Sequence, residues 1–174
     1  MRARVSLRVA RWLIKEEPDH YAWADLVRDG RTEWDGIHNA LALRYLRQMA
    51  PGDRAVFYHT GTQRACVGIA EVVGSPHADP NDERGSWSVK VRPVRPLHRP
   101  IPLSEVKADP ALAGFDLVRL PRLSVLPISD DQWTRLLAHE DAVAWPPAHA
   151  TAVSSAQRSG TSRPRRRTAA RRRR

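Results

Sequence analysis

Hydrophobic and polar positions divide this chain into short elements. Residues 9–15, Val-Ala-Arg-Trp-Leu-Ile-Lys, form an apolar run bounded by charge and predict a buried first strand. Glu16-Glu17-Pro18-Asp19 breaks it, and Ala22–Asp29 has the composition of a short helix stopped by Gly30. The segment Trp34-Asp35-Gly36-Ile37-His38-Asn39 has no period and reads as irregular chain. Asn39 is placed to cap a helix running to Met49, with Leu41, Tyr45, Leu46 and Met49 on its apolar face. After a Pro51-Gly52-Asp53 turn, Arg54–Thr60 and Ala65–Val73 predict a hairpin joined by Gly61-Thr62-Gln63.

A Pro/Asn/Asp/Gly-rich loop over 74–85 leads to a strand at Trp87–Val94. Prolines at 93, 96, 100 and 102 then predict extended chain at a sheet edge. A short helix at Leu103–Ala108 and a last strand at Arg122–Ile128 follow. Ser129-Asp130-Asp131-Gln132 is a capping box opening a helix that turns Trp133, Leu136 and Leu137 inward. About five strands with interspersed short helices imply an α+β fold, a compact mixed sheet or small barrel rather than parallel βαβ units. Beyond Trp145-Pro146-Pro147 the chain is Ala, Ser, Thr and Arg without apolar period, and is expected to be disordered. The expected division is a basic extension at 1–8, one domain at 9–145 and an Arg-rich tail at 146–174.

Charge changes this picture only at the ends. The 174 residues carry a net charge of +10. The tail arginines Arg158, Arg163, Arg165, Arg166, Arg167, Arg171, Arg172, Arg173 and Arg174 supply nine positive charges, and the first eleven residues supply four. Residues 12–157 hold 16 Lys/Arg against 19 Asp/Glu, so the body carries −3. The tail is therefore expected to be a non-specific phosphate anchor attached to a slightly acidic fold. One cysteine, Cys66, excludes an intramolecular disulfide framework and points to a reducing compartment. No run approaches a membrane span or a signal sequence, so a cytoplasmic or nuclear protein without membrane association is expected.

The candidate chemistry is the Trp34–Asn39 segment together with Phe57-Tyr58-His59-Thr60. Flat side chains beside compact hydrogen-bonding groups suit a nucleobase, because stacking plus an amide reading a base edge is how proteins hold an unpaired base. Each residue also has a plain structural role available: Trp34 as core, Asn39 as helix cap, His59 as a satisfied buried histidine. In the strand, Phe57 and His59 share one face and Tyr58 and Thr60 the other. A triad of His59 with Asp35 or Asp53 and Ser124 lacks a nucleophile elbow. No metal-ligand spacing or glycine-rich phosphate loop occurs, so neither cofactor nor metal is expected.

Six separated segments resemble the EVE domain family of the PUA-like superfamily. They are residues 12–19, residues 34–39, Met49 with Gly52-Asp53, residues 57–60, Val67-Gly68-Ile69-Ala70, and Arg122-Leu123-Ser124-Val125 before Pro127. The resemblance implies a PUA-like mixed β-barrel flanked by short helices and a non-catalytic pocket for a modified base in DNA, notably a modified cytosine. By position, it implies that Trp34 is a pocket wall and that Ile37, His38 and Asn39 form the floor. Tyr58, His59 and Thr60 would stand opposite, with Lys15, Arg122, Leu123 and Ser124 at the rim. The family usually has Ser at the position of Glu16, Val-Arg at Ile37-His38, Arg at Leu43 and Ser at Thr60. These departures make the expected pocket less positive. The alternatives are an RNA-binding module acting on tRNA or rRNA, and a small hydrolase or nuclease using His59. The chain is expected to act as a monomer.

Overall fold

The first apolar run becomes an interior strand of a curled mixed sheet. In the computed structural model, which describes residues 9–141 apart from Asn81, strand β1 (Arg11–Glu16) pairs parallel with β3 (Arg54–His59) and antiparallel with β7 (Val125–Ile128). Strand order is β2-β6-β4-β3-β1-β7, where β2 is Thr32–Trp34, β4 is Ala65–Val72 and β6 is Trp87–Pro102; the two-residue β5 (His77–Ala78) pairs with β6. The expected basic extension at 1–8, the end of the expected domain at 142–145 and the Arg-rich tail at 146–174 lie outside the described residues. No helix among the described residues is long and apolar enough to cross a membrane.

β3 is central, and its residues from Ala55 to His59 are all buried, so the alternation of Phe57 and His59 with Tyr58 and Thr60 does not separate core from solvent. Trp23, from α1 (Trp23–Asp29), lies against β4 at Gly68, where an added Cβ would meet its ring at 2.6 Å. Trp23 and Trp34 both stand edge-on to Phe57, at 5.6 and 5.2 Å between ring centroids. Such tilted aromatic contacts satisfy the ring quadrupoles while burying large apolar areas.

Several boundaries differ from the sequence expectation. The segment around Trp34 is not wholly irregular: Thr32–Trp34 pairs with Val89–Val91, and only the chain after Trp34 is loop. Helix α2 is Ala40–Leu46, ending a turn before Met49. Ala42 rather than Leu41 is buried on it, and Leu41 faces solvent, because tertiary packing selects a face rotated from the predicted one. The proline-rich stretch continues β6 instead of following it. Beyond Val91, β2 no longer pairs with β6, so the prolines fall where one side of the strand needs no ladder donors. The last strand starts at Val125, three residues later than expected, because residues 120–123 close a turn with Leu123 N donating to Leu120 O at 3.0 Å.

The capping box before α5 (Asp130–Asp141) forms as expected: Gln132 Oε1 accepts from Ser129 N, and Ser129 Oγ from Gln132 N, both at 3.1 Å. Trp133 and Leu136 are buried on this helix, while Leu137 is half-buried. Three further short elements, α3 (Leu103–Ala108), a 3-10 turn at Pro110–Leu112 and α4 (Asp116–Arg119), close the far side around Leu112, Phe115 and Leu117.

Candidate base-binding site

Parallel pairing of β1 with β3 sets Lys15 beside Tyr58 and Glu16 beside His59 at the same strand end. On the other flank of β1, Lys15 N donates to Ser124 O at 2.9 Å, while on the β3 flank Thr60 N donates to Glu16 O at 2.9 Å. Three separate stretches of sequence thus end together. They border an open cleft of about 370 Å3 lined by Lys15, Glu16, Glu17, His20, Thr60, Pro121, Arg122 and Ser124. A second cleft of about 190 Å3, lined by Glu16, Tyr21, Thr32, Glu33, Trp34 and Asp35, adjoins it through Glu16.

Lys15 is buried, and its ammonium donates to the carbonyls of Pro121 at 3.1 Å and Leu120 at 3.5 Å. It also stands 5.8 Å from the Tyr58 ring centroid. Burial lowers its pKa to about 8, so the turn carrying Arg122 is held by a cation near its neutralisation point. Glu16 Oε1 accepts from Glu17 N at 2.9 Å, which turns this carboxylate along the shared edge of both clefts. In the second cleft Asp35, though exposed, has a raised pKa, chiefly through partial desolvation and then through the nearby charges of Asp79 and Glu33. That cleft is acidic and aromatic, suited to a flat ligand whose edge donates hydrogen bonds.

The structure brings together Lys15, Thr60, Arg122 and Ser124 in one cleft and puts Trp34 in the adjoining one. Trp34 is also core: it is only 4 % exposed, and its Nε1 is buried with no partner. The remaining expected residues line neither cleft. Ile37, Tyr58 and Leu123 are buried in the core, and His38 is half exposed with Nδ1 3.5 Å from Asp82 Oδ2. Asn39 Oδ1 accepts from Leu41 N at 3.0 Å and Ala42 N at 3.1 Å, so the cap takes its oxygen and leaves only the amide nitrogen.

His59 is satisfied at both nitrogens. Nε2 accepts from Trp23 N at 3.0 Å, which places the ring proton on Nδ1, facing Gln63 Oε1 at 2.6 Å. The triad considered from sequence is not assembled, because His59 meets neither aspartate. Asp53 instead accepts from Trp12 Nε1, Ala10 N and Ala50 N, each at 2.9 Å, tying β1 to the turn before β3. The sequence reading missed Tyr21, Thr32 and Glu33 as cleft residues, since they are polar positions without period. The β2 pairing that aligns them has only three residues to announce it. The tail arginines Arg163, Arg165, Arg166, Arg167, Arg171, Arg172, Arg173 and Arg174 lie outside the described residues.

Comparison with known proteins agrees with this fold. The family model for the EVE domain matches residues 10–139. Human thymocyte nuclear protein 1 is 30% identical over 165 residues, covering 75% of this chain and 73% of that protein. The NMR structure of a protein from Rhodopseudomonas palustris superposes with a TM-score of 0.73 at 33% identity, covering 81% of this chain and 99% of that one. The crystal structure of human THYN1 in complex with 5-methylcytosine-containing DNA superposes with a TM-score of 0.69 at 26% identity, covering 78% and 99%. With a match across nearly the whole described body, this chain belongs to the EVE domain family.

Proposed function

We propose that this protein is a non-catalytic DNA-binding module that takes a modified cytosine, unpaired or flipped out of the duplex, into the paired clefts around Glu16. The observation that carries the reading is the convergence of Lys15, Glu16, Thr60, Arg122 and Ser124, from three distant parts of the chain, beside a cleft walled by Trp34. Human THYN1, a relative over most of the fold, has been crystallised with DNA containing 5-methylcytosine. The chemistry is compatible: carboxylates accept from the exocyclic amine of cytosine, and Glu16 and Asp35 supply them. Extruding a base costs a few kcal/mol, which contacts in the clefts offset in part. His59, with both nitrogens hydrogen-bonded, supports a binding rather than a hydrolytic role.

The test is a binding series with matched oligonucleotides carrying cytosine or 5-methylcytosine, in single strands and duplexes, with RNA of the same sequence as competitor. We expect tighter binding of the modified DNA. Glu16→Ser and Asp35→Asn should weaken binding of cytosine and 5-methylcytosine DNA alike, since both bases carry the exocyclic amine, without lowering the melting temperature, because both side chains line clefts rather than core. Equal affinity for all oligonucleotides, unchanged in both variants, would remove the reading. A preference for the RNA competitor would transfer the site to RNA.

A further inference from the structure

The β3–β4 connection has a cleft on its other side as well. Thr62, Gln63 and Arg64 face Ser104 and Lys107 of α3 across a depression of about 260 Å3. Its lining contains two cations and no carboxylate, the reverse of the Trp34 cleft.

This matters because the folded body spends most of its basic side chains internally. Arg95 pairs with Glu140, Arg99 with Glu105, Arg135 with Asp109, and both Arg54 and Arg92 with Glu71. Arg64 and Lys107 form no such pair among the described residues, and they converge on one cleft. Uncompensated guanidinium and ammonium groups flanked by the hydroxyls of Thr62 and Ser104 form a donor set for a phosphodiester. Two charges meet the anionic oxygens, and neutral donors complete the shell.

Arg64 is also held in place. It is the one non-glycine residue of positive φ among the described residues, at 41°, a backbone conformation that costs about 1–3 kcal/mol. Its carbonyl accepts from Leu103 N at 2.8 Å, which fixes it against the opposite wall. Its charge is felt by Tyr58, where it opposes the upward push of burial on the phenol. Thr60 borders the Glu16 cleft and Thr62 this one, so the two sites have lining residues within about 7 Å of each other, Cα to Cα.

We propose that the cleft between Arg64 and Lys107 binds a backbone phosphate of the same DNA strand whose base occupies the Glu16 clefts. Its position along the strand rests on the base-binding reading; its chemistry does not. The folded body then has a positioning contact of its own, independent of the C-terminal arginines.

The test uses the full chain and DNA strands in which single phosphates flanking the 5-methylcytosine are replaced, one at a time, by neutral methylphosphonates. Wild type should lose affinity at particular positions on one side of the base. Arg64→Gly, which suits the left-handed backbone, and Lys107→Gln should each erase that positional loss. Each should also lower the slope of log affinity against log salt by about 0.7–0.9. Both should weaken modified and unmodified DNA equally. An interference profile unchanged in both variants, or an unaltered salt slope with normal melting, overturns the proposal. If wild type fails to distinguish modified from unmodified DNA while the slope still falls, the phosphate cleft stands and the base reading fails.

Discussion

Lys15 holds a buried ammonium against two carbonyls of the turn that carries Arg122, with no carboxylate among its hydrogen-bond partners. Its pKa near 8 has two consequences of opposite sign. Below that value the charge favours an anionic ligand, so DNA affinity should fall several-fold between pH 7 and 9 and become flat in Lys15→Met. Stability should move the other way. The folded pKa lies below the ordinary 10.5, so at Lys15 the unfolded chain keeps the proton more fully between about 8 and 10.5, and this group's contribution to stability rises with pH through that window. Tyr58 and Cys66, pushed up to about 12 chiefly by burial, stay neutral in the fold but ionise in the unfolded chain from their ordinary values of 10.0 and 9.0, so above about pH 9 they oppose the Lys15 gain, and its sign is read between about 8 and 9. Denaturation and binding followed over the same pH series would check both signs.

Asn39 separates cap from ligand at the same scale. Asn39→Ala should cost about 1 kcal/mol of stability by leaving two amides without their acceptor. Asn39→Asp keeps that acceptor and removes the amide donor, so melting and DNA discrimination should both be preserved. Normal melting with lost discrimination would return Asn39 to a base-reading role.

At the level of elements, the junction of α1 with β4 depends on a missing side chain. Gly68→Ala would drive a Cβ to 2.6 Å from the Trp23 ring, and Trp23 in turn packs on Phe57 and donates its backbone N–H to His59. Overpacking at such a contact costs about 1–3 kcal/mol. We therefore expect a lowered denaturation midpoint for Gly68→Ala, with relief in the double variant that also carries Trp23→Leu. This contact was not legible in the sequence. Gly68 lay inside a strand pattern and Trp23 inside a helix pattern, and nothing in either period says that the two meet. The strands β1 and β3 and the α5 capping box were legible, because continuous apolar runs and reciprocal side-chain caps are local signals. The short β2 was not, since its strand character comes from pairing with β6.

For the whole molecule, one electrostatic seam joins β6, α3, the 3-10 turn and α5. Arg135 and His139 hold Asp109 well below the usual carboxylate range, Arg99 lowers Glu105, and Arg95 lowers Glu140. Each folded pKa lies below its unfolded value, so the stability these groups contribute is complete above the ordinary range of about 3.8–4.5 and is lost as pH falls through the depressed values. Thermal denaturation from pH 7 to 2 should show this loss, and Arg135→Met should flatten the acid limb while lowering stability at neutral pH. Three of the body's arginines, Arg95, Arg99 and Arg135, thus already have a carboxylate within this seam.

The sequence by itself determined the core strands, the caps, the peripheral placement of the net charge and the family to which the chain belongs. Each is encoded within a short window or as a set of separated motifs in fixed order. Only the tertiary structure decided which candidate residues share a cleft. It gathered Lys15, Thr60, Arg122 and Ser124 with Glu16, and satisfied His59 inside the fold. A residue type states what a side chain can bond. Strand register, burial and the nearest donors decide what it does bond, and those come from parts of the chain far away in sequence.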